Sequence, residues 1–103
     1  MAAGDDTFPE GFEWHEAKRR ANLAKHGIDF VRAARIFEGR TVEWDDLRRH
    51  YGERRKIALG QVDHTVLFVV YTSREGKRRL ISARKANPNE RKTYYEGVVG
   101  RPR

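Results

Sequence analysis

The sequence predicts an α+β domain: two N-terminal helices, a twisted antiparallel β-sheet laid out as a meander, and one C-terminal helix. Three observations carry this. Helical spacing of apolar residues is confined to residues 17–37, and strand-like alternation to residues 41–84. The segment from Thr65 to Thr72 is rich in β-branched and aromatic residues, as expected of a central strand covered on both faces. Asn87-Pro88-Asn89-Glu90 then spells a helix start, with Asn87 as N-cap, Pro88 at the first helical position and Glu90 reaching back to the cap. Helices and strands grouped in this way define a segregated α+β architecture.

Each element follows in order. Phe12-Glu13-Trp14 alternates and reads as a short edge strand. A helix fits from His15 or Glu16 to His26. Ala17, Ala21, Ala24 and Ile28 form its apolar stripe, Lys18, Asn22 and Lys25 its outer side, and Gly27 its stop. Asp29 caps a second helix whose face is Phe30, Ala33, Ala34 and Phe37, ended by Gly39. Thr41 to Asp45 alternates as a strand, and a charged loop runs from Asp46 to Gly52. Arg55 to Gly60 is the next strand, with a turn at Asp63-His64. Arg74-Glu75-Gly76-Lys77 is a hairpin turn leading into a strand over Arg78 to Arg84. The last helix is expected to run to Glu96, before Gly97. Residues 1–11 read as a disordered acidic tail, 12–97 as a single domain and 98–103 as a frayed basic tail.

Composition narrows the function. The chain has 103 residues, 38% hydrophobic and 36% charged, so its core is thin for its surface. It has no cysteine, which removes disulfides, thiol nucleophiles and thiolate metal sites. Its apolar runs are too short to span a bilayer, and the acidic N-terminus lacks the apolar core of a secretory signal. The expectation is a soluble cytoplasmic domain with no membrane contact. Net charge is +7, and it is uneven: residues 1–17 hold five acids and no Lys or Arg, so the other 86 residues carry +12. Sixteen of the 22 basic residues are arginine, whose fork suits phosphate. A polyanion partner is the simplest reading, and an arginine-rich solvated surface the plainer one.

Several segments are specific in combination: Phe12-Glu13-Trp14, Lys25-His26-Gly27, Tyr51-Gly52-Glu53 and Ile81-Ser82-Ala83-Arg84-Lys85-Ala86. In this order, with Ala17-Lys18, Asn22, Phe30, Glu90-Arg91 and Tyr94 between and after them, the chain resembles the BrnT-type toxins of bacterial type II toxin–antitoxin systems. The resemblance spans residues 12 to 96. Two positions depart from it: His15 stands where aspartate is usual, and His50 where an acid or amide is usual. The resemblance implies a fold similar to the RelE-like toxin ribonucleases and metal-independent RNA cleavage that stops translation. It also implies neutralisation by a ribbon-helix-helix antitoxin, two toxins with two antitoxins, with operator DNA bound only through the antitoxin. No cofactor is implied.

Metal-free RNA cleavage uses the substrate's 2′-hydroxyl as nucleophile. The protein must hold the phosphate, stabilise its extra charge and move two protons. Arg84, His50, Glu53 and Arg55 are the catalytic candidates. Arg84 is preferred as phosphate ligand for its fork, against a reading in which it pairs with a carboxylate to stitch the sheet. Strand alternation places Arg84 with Leu80 and Ser82, and Lys85 with Ile81 and Ala83. His50 suits proton transfer because its ordinary pKa lies near neutrality. Glu53 is either a base or an arginine partner, the latter favoured. Lys85, Arg91, Tyr94, Lys25 and Arg54 are candidates for holding RNA, with Tyr94 either stacking on a base or closing the core. Trp14 and Trp44 are expected to pack, an exposed one pointing to base stacking. The four histidines share no ligand spacing, so no metal site is expected. The competing class is a nucleic-acid-binding module without chemistry.

Overall fold

The computed structural model describes residues 10–99. The expected acidic tail lies almost wholly outside them, as do residues 100–103 of the basic tail. The elements are β1 (Phe12–Trp14), α1 (Glu16–His26), α2 (Phe30–Ala34) tightening into a 3-10 turn (Arg35–Glu38), β2 (Thr41–Asp45), β3 (Lys56–Val62), β4 (Thr65–Arg74), β5 (Lys77–Lys85) and α3 (Pro88–Val99). Three helices and one five-stranded sheet make a mixed α+β fold. The strand order is β1-β5-β4-β3-β2. β1 runs parallel to β5, and every other neighbour pair is antiparallel.

The sheet has an apolar layer on each side because β4 is buried on both. Leu67, Val69 and Tyr71 join Ala58, Leu80, Phe30 and Ile36 in one cluster, under α2 and the 3-10 turn. Val66, Phe68 and Val70 join Ile57, Leu59 and Tyr94 in the other, under α3. The two layers are the first and the second face of the sheet. Gly60 lets the 3-10 turn sit close on β3: a Cβ there would lie 2.5 Å from the Ile36 Cβ.

Helix α1 has the expected bounds but the opposite orientation. Ala17, Ala21 and Ala24 are exposed, and Asn22 is buried. The reason is the β5 margin. β1 is only three residues long and pairs with Arg78 to Leu80, leaving the rest of that margin without a strand neighbour. Asn22 takes the missing place. Its Nδ2 donates to the Ala83 carbonyl (2.8 Å) and the Ile28 carbonyl (3.0 Å), and its Oδ1 accepts from the Ala83 N–H (3.0 Å). Three buried hydrogen bonds outweigh the small apolar area of three alanines. His15 occupies the N-cap without a side-chain capping bond, while Gly27 ends the helix in the left-handed region at φ 74°.

Two further boundaries differ. β5 carries a bulge: Val70 pairs with Ser82 and Tyr71 with Leu80, so Ile81 has no opposite residue. Alternation therefore reverses at Ile81. Leu80 and Ala83 both face the first cluster, whereas Arg84 shares the second face with Ser82 and not with Leu80. Lys85 keeps Ala83's face but loses Ile81, which packs on the second cluster. α3 passes through Gly97 to Val99. Gly97 is a contact point there and not a stop, since a Cβ on it would lie 2.5 Å from Val42 Cγ2 on β2.

Candidate functional site

The second face gathers arginines from segments far apart in sequence. Arg84 leaves β5 beside Phe68, its register partner on β4, and its guanidinium carbon lies 3.9 Å from the centre of that ring. Arg48, from the charged loop, approaches the same ring at 5.4 Å. Phe68 is thus a buried floor under two cations, which a ring's electron-rich face favours.

Carboxylates fix both guanidinium groups. Arg84 donates from its two terminal nitrogens to Glu90 Oε1 and Oε2, each at 2.9 Å. Glu90 is itself held by the α3 cap, its Oε1 accepting from the Asn87 N–H while its own N–H donates to Asn87 Oδ1, both at 2.8 Å. Arg48 donates from Nε to Asp46 Oδ1 (2.7 Å) and from a terminal nitrogen to Oδ2 (2.8 Å). The Asp46 carboxylate is fully buried, while the Arg48 side chain remains 54% exposed. Arg84 is 34% exposed. The forks are therefore locked from one side and open to solvent on the other.

The ionisation states follow from these contacts. Hydrogen bonding to Arg84 holds Glu90 below the usual glutamate range against the opposing effect of burial, with the Asn87 N–H and the charges of Arg84 and Arg48 adding to it. Hydrogen bonding to Arg48 holds Asp46 down to about 2, again against burial, with the Arg48 N–H and the Tyr51 hydroxyl assisting. Both remain anions at neutral pH and orient cations; neither is a proton donor there. A depressed pKa contributes stability that is complete above the ordinary aspartate value of 3.8 and disappears as pH falls toward 2. The chain is accordingly expected to lose about 2 kcal/mol more stability than an Asp46→Asn variant between pH 5 and pH 2. Urea titrations across that range measure it, and parallel pH profiles would show that the Asp46–Arg48 pair contributes nothing.

The charged loop continues the cluster. Asp45 to Leu47 and Arg49 to Arg55 line a depression of about 370 Å³ that includes His50, Glu53 and Arg54 but not Arg48. Arg55 stacks over the Tyr51 ring at 4.1 Å and donates to Glu53 Oε2 at 2.9 Å. Glu53 also lies 3.8 Å from Arg74, so it is an arginine partner. His50 is exposed in the loop wall. Arg54 is exposed, its carbonyl accepting from the Thr72 hydroxyl at 2.7 Å.

The other candidates are dispersed. Arg91, in the first turns of α3, is exposed and donates to the Ala86 carbonyl at 3.1 Å. Tyr94 is buried in the second cluster, with its hydroxyl 3.4 Å from the Arg40 carbonyl. Lys85 has the register of Leu67 and so stands on the first face, away from Arg84. Lys25 is exposed in the last turn of α1. Trp14 is buried and Trp44 is 37% exposed. Trp44 pairs with Ile57 and so stands on the second face with Arg84.

Sequence reasoning missed Asp46, Arg48, Phe68 and the position of Trp44. Asp46-Leu47-Arg48 carried a weak signal, an acid and an arginine two apart in a loop. Phe68 carried none, because its role depends on being opposite Arg84. Among the described residues no group of three or more His, Asp or Glu could hold a metal ion, and no helix is long and apolar enough to cross a membrane.

On a small, basic α+β fold, Arg84 and Arg48, each held by a carboxylate, thus converge on one buried ring of a sheet face. The chain matches the BrnT toxin family, ribonuclease toxins of type II toxin–antitoxin systems, over residues 14–90. That covers well over half of its length, and the chain belongs to this family. Comparison with curated proteins gave no match. Membership in a type II system brings with it a protein antitoxin as partner.

Proposed function

We propose that the second face is the RNA-cleaving site and that Arg84 and Arg48, seated on Phe68, hold the scissile phosphate. The observation that supports this most directly is the convergence of two guanidinium groups, each fixed by its own carboxylate, on one buried ring. Fixed donors stabilise the charge that develops on the phosphorane without reorganising as it forms. The 2′-hydroxyl oxygen attacks the adjacent phosphorus and its proton passes to a base. The P–O bond to the 5′-oxygen breaks and that oxygen takes a proton, leaving a 2′,3′-cyclic phosphate. No metal enters this scheme. His50, in the loop wall, is the proton carrier, because Glu53 and Glu90 are committed to arginines. Arg55 and Arg54 extend the cationic surface along the RNA, Arg91 adds to it from α3, and Trp44 offers a stacking surface. Tyr94 supports α3 from within the core, and Lys85 and Lys25 contact RNA that extends beyond the second face.

In this reading the architecture is of the RelE-like kind, cleavage arrests translation, and a ribbon-helix-helix antitoxin neutralises the chain in a two-plus-two assembly that reaches operator DNA through the antitoxin. The binding step is tested by salt. With about 4–6 phosphate contacts to a single strand, log K against log salt is expected to slope about −3 to −4. A slope near zero would remove the electrostatic basis of the site. Steep binding with no cleavage in the presence of a chelator would favour a binding module or metal-assisted chemistry instead.

A further inference from the structure

A second recess lies at the opposite margin of the sheet, between β1 and α2. Phe12, Val31, Ala34 and Phe37 give it apolar walls, and its volume is about 380 Å³. Val31 is 46% exposed beside it. Arg78 also lines it. The Arg78 guanidinium carbon lies 4.2 Å from the centre of the Phe37 ring, 5.6 Å from Tyr71 and 5.9 Å from Phe12.

Arg78 differs from the other half-buried arginines of the sheet. Arg79 and Arg84 each hold a carboxylate at 3.0 Å or less. Among the described residues Arg78 holds no carboxylate, and the hydroxyl of the neighbouring Tyr71 donates to Glu43 at 2.6 Å. A guanidinium has five N–H donors, so most of those on Arg78 remain for a ligand. A half-desolvated, ring-stacked guanidinium beside an apolar trough fits a carboxylate attached to an apolar group. Glu10, Arg35 and Glu38 also border the recess and leave its rim charge-balanced, so a run of phosphates meets no cationic track here, whereas a single carboxylate needs only Arg78.

We infer that this recess seats an apolar, carboxylate-bearing segment of the protein antitoxin, with Arg78 forking its carboxylate and Phe12, Val31 and Phe37 covering its side chain. The inference rests on the chain's family for the existence of that partner. It places an antitoxin contact away from the second face.

The test is calorimetric titration of the antitoxin encoded with this chain into the unmodified chain and into Arg78→Gln, Arg78→Lys and Val31→Asp, with RNA cleavage assayed in parallel. Arg78→Gln and Val31→Asp are expected to weaken binding at least about 30-fold, and Arg78→Lys less, because it keeps charge and loses the fork. All three are expected to cleave RNA at the unmodified rate. Val31 is exposed near the start of α2, so Val31→Asp keeps the question open to measurement even if Arg78→Gln folds poorly. Unchanged antitoxin affinity in a folded Val31→Asp variant would overturn the inference and leave the family assignment standing. Loss of RNA binding in Arg78→Gln with antitoxin binding intact would assign the recess to RNA. An unmodified chain that binds no antitoxin would overturn both the inference and the expected partner.

Discussion

Asn22→Leu is expected to leave the chain largely unfolded at room temperature. The Asn22 side chain makes three hydrogen bonds to buried backbone, two to carbonyls and one from an N–H. Leucine is close in size and satisfies none of them. Each buried backbone group left without a partner costs about 1–3 kcal/mol, so three cost roughly 3–9 kcal/mol. Small domains are stabilised by about 5–15 kcal/mol, and a thin core puts this chain near the lower end. Asn22→Asp fails differently: it can accept from the Ala83 N–H but cannot donate to the Ala83 and Ile28 carbonyls. Urea unfolding measures both. A loss below about 1 kcal/mol for Asn22→Leu would show that α1 docks without the asparagine.

Arg84→Ala is expected to have the largest effect on activity with little effect on folding. Arg84 is one-third exposed, so the variant does not open a cavity in the core. It does leave Glu90 without its main cation, but the Asn87 cap still holds that carboxylate. A removed charge-stabilising donor typically costs about 3–4 kcal/mol of transition-state stabilisation, a few hundred-fold in rate. Arg84→Lys keeps the positive charge but cannot reach both Glu90 oxygens and a phosphate as a planar fork does. It is expected to retain only a small part of the rate. The contrast between the two variants separates charge from geometry.

Much of the fold was legible because its signals are local. The Asp29 cap accepts from Val31, the Asn87–Glu90 box forms as written, and β4 is buried on both faces. The orientation of α1 was not legible. Alanine spacing suggested one face, whereas the deciding term was the unpaired margin of β5, which exists only once β1 has stopped at Trp14. The bulge at Ile81 was equally invisible: nothing in Leu80-Ile81-Ser82 marks an extra residue, yet it changes which side chains accompany Arg84. At the candidate site, residue type pointed to Arg84, Glu53 and Arg55, because forks and carboxylates announce themselves. Phe68 and Arg48 needed the register of β4 against β5 and the return of a loop onto the sheet. The separation of Lys85 from Arg84 was legible, because consecutive strand residues point to opposite faces, and the register of β5 on β4 keeps them apart.

The second face is the proposed place where RNA is cut. Single-turnover cleavage of a single-stranded RNA by folded Arg84→Ala, in the presence of a chelator and beside the unmodified chain, tests it most directly. Circular dichroism establishes that the variant is folded. The unmodified chain is expected to cleave, and the variant to do so at a rate lower by a few hundred-fold. A folded Arg84→Ala that cleaves at the unmodified rate would contradict it, leaving Arg84 as a stitch between β5 and α3 and moving the site to His50, Glu53 and Arg55.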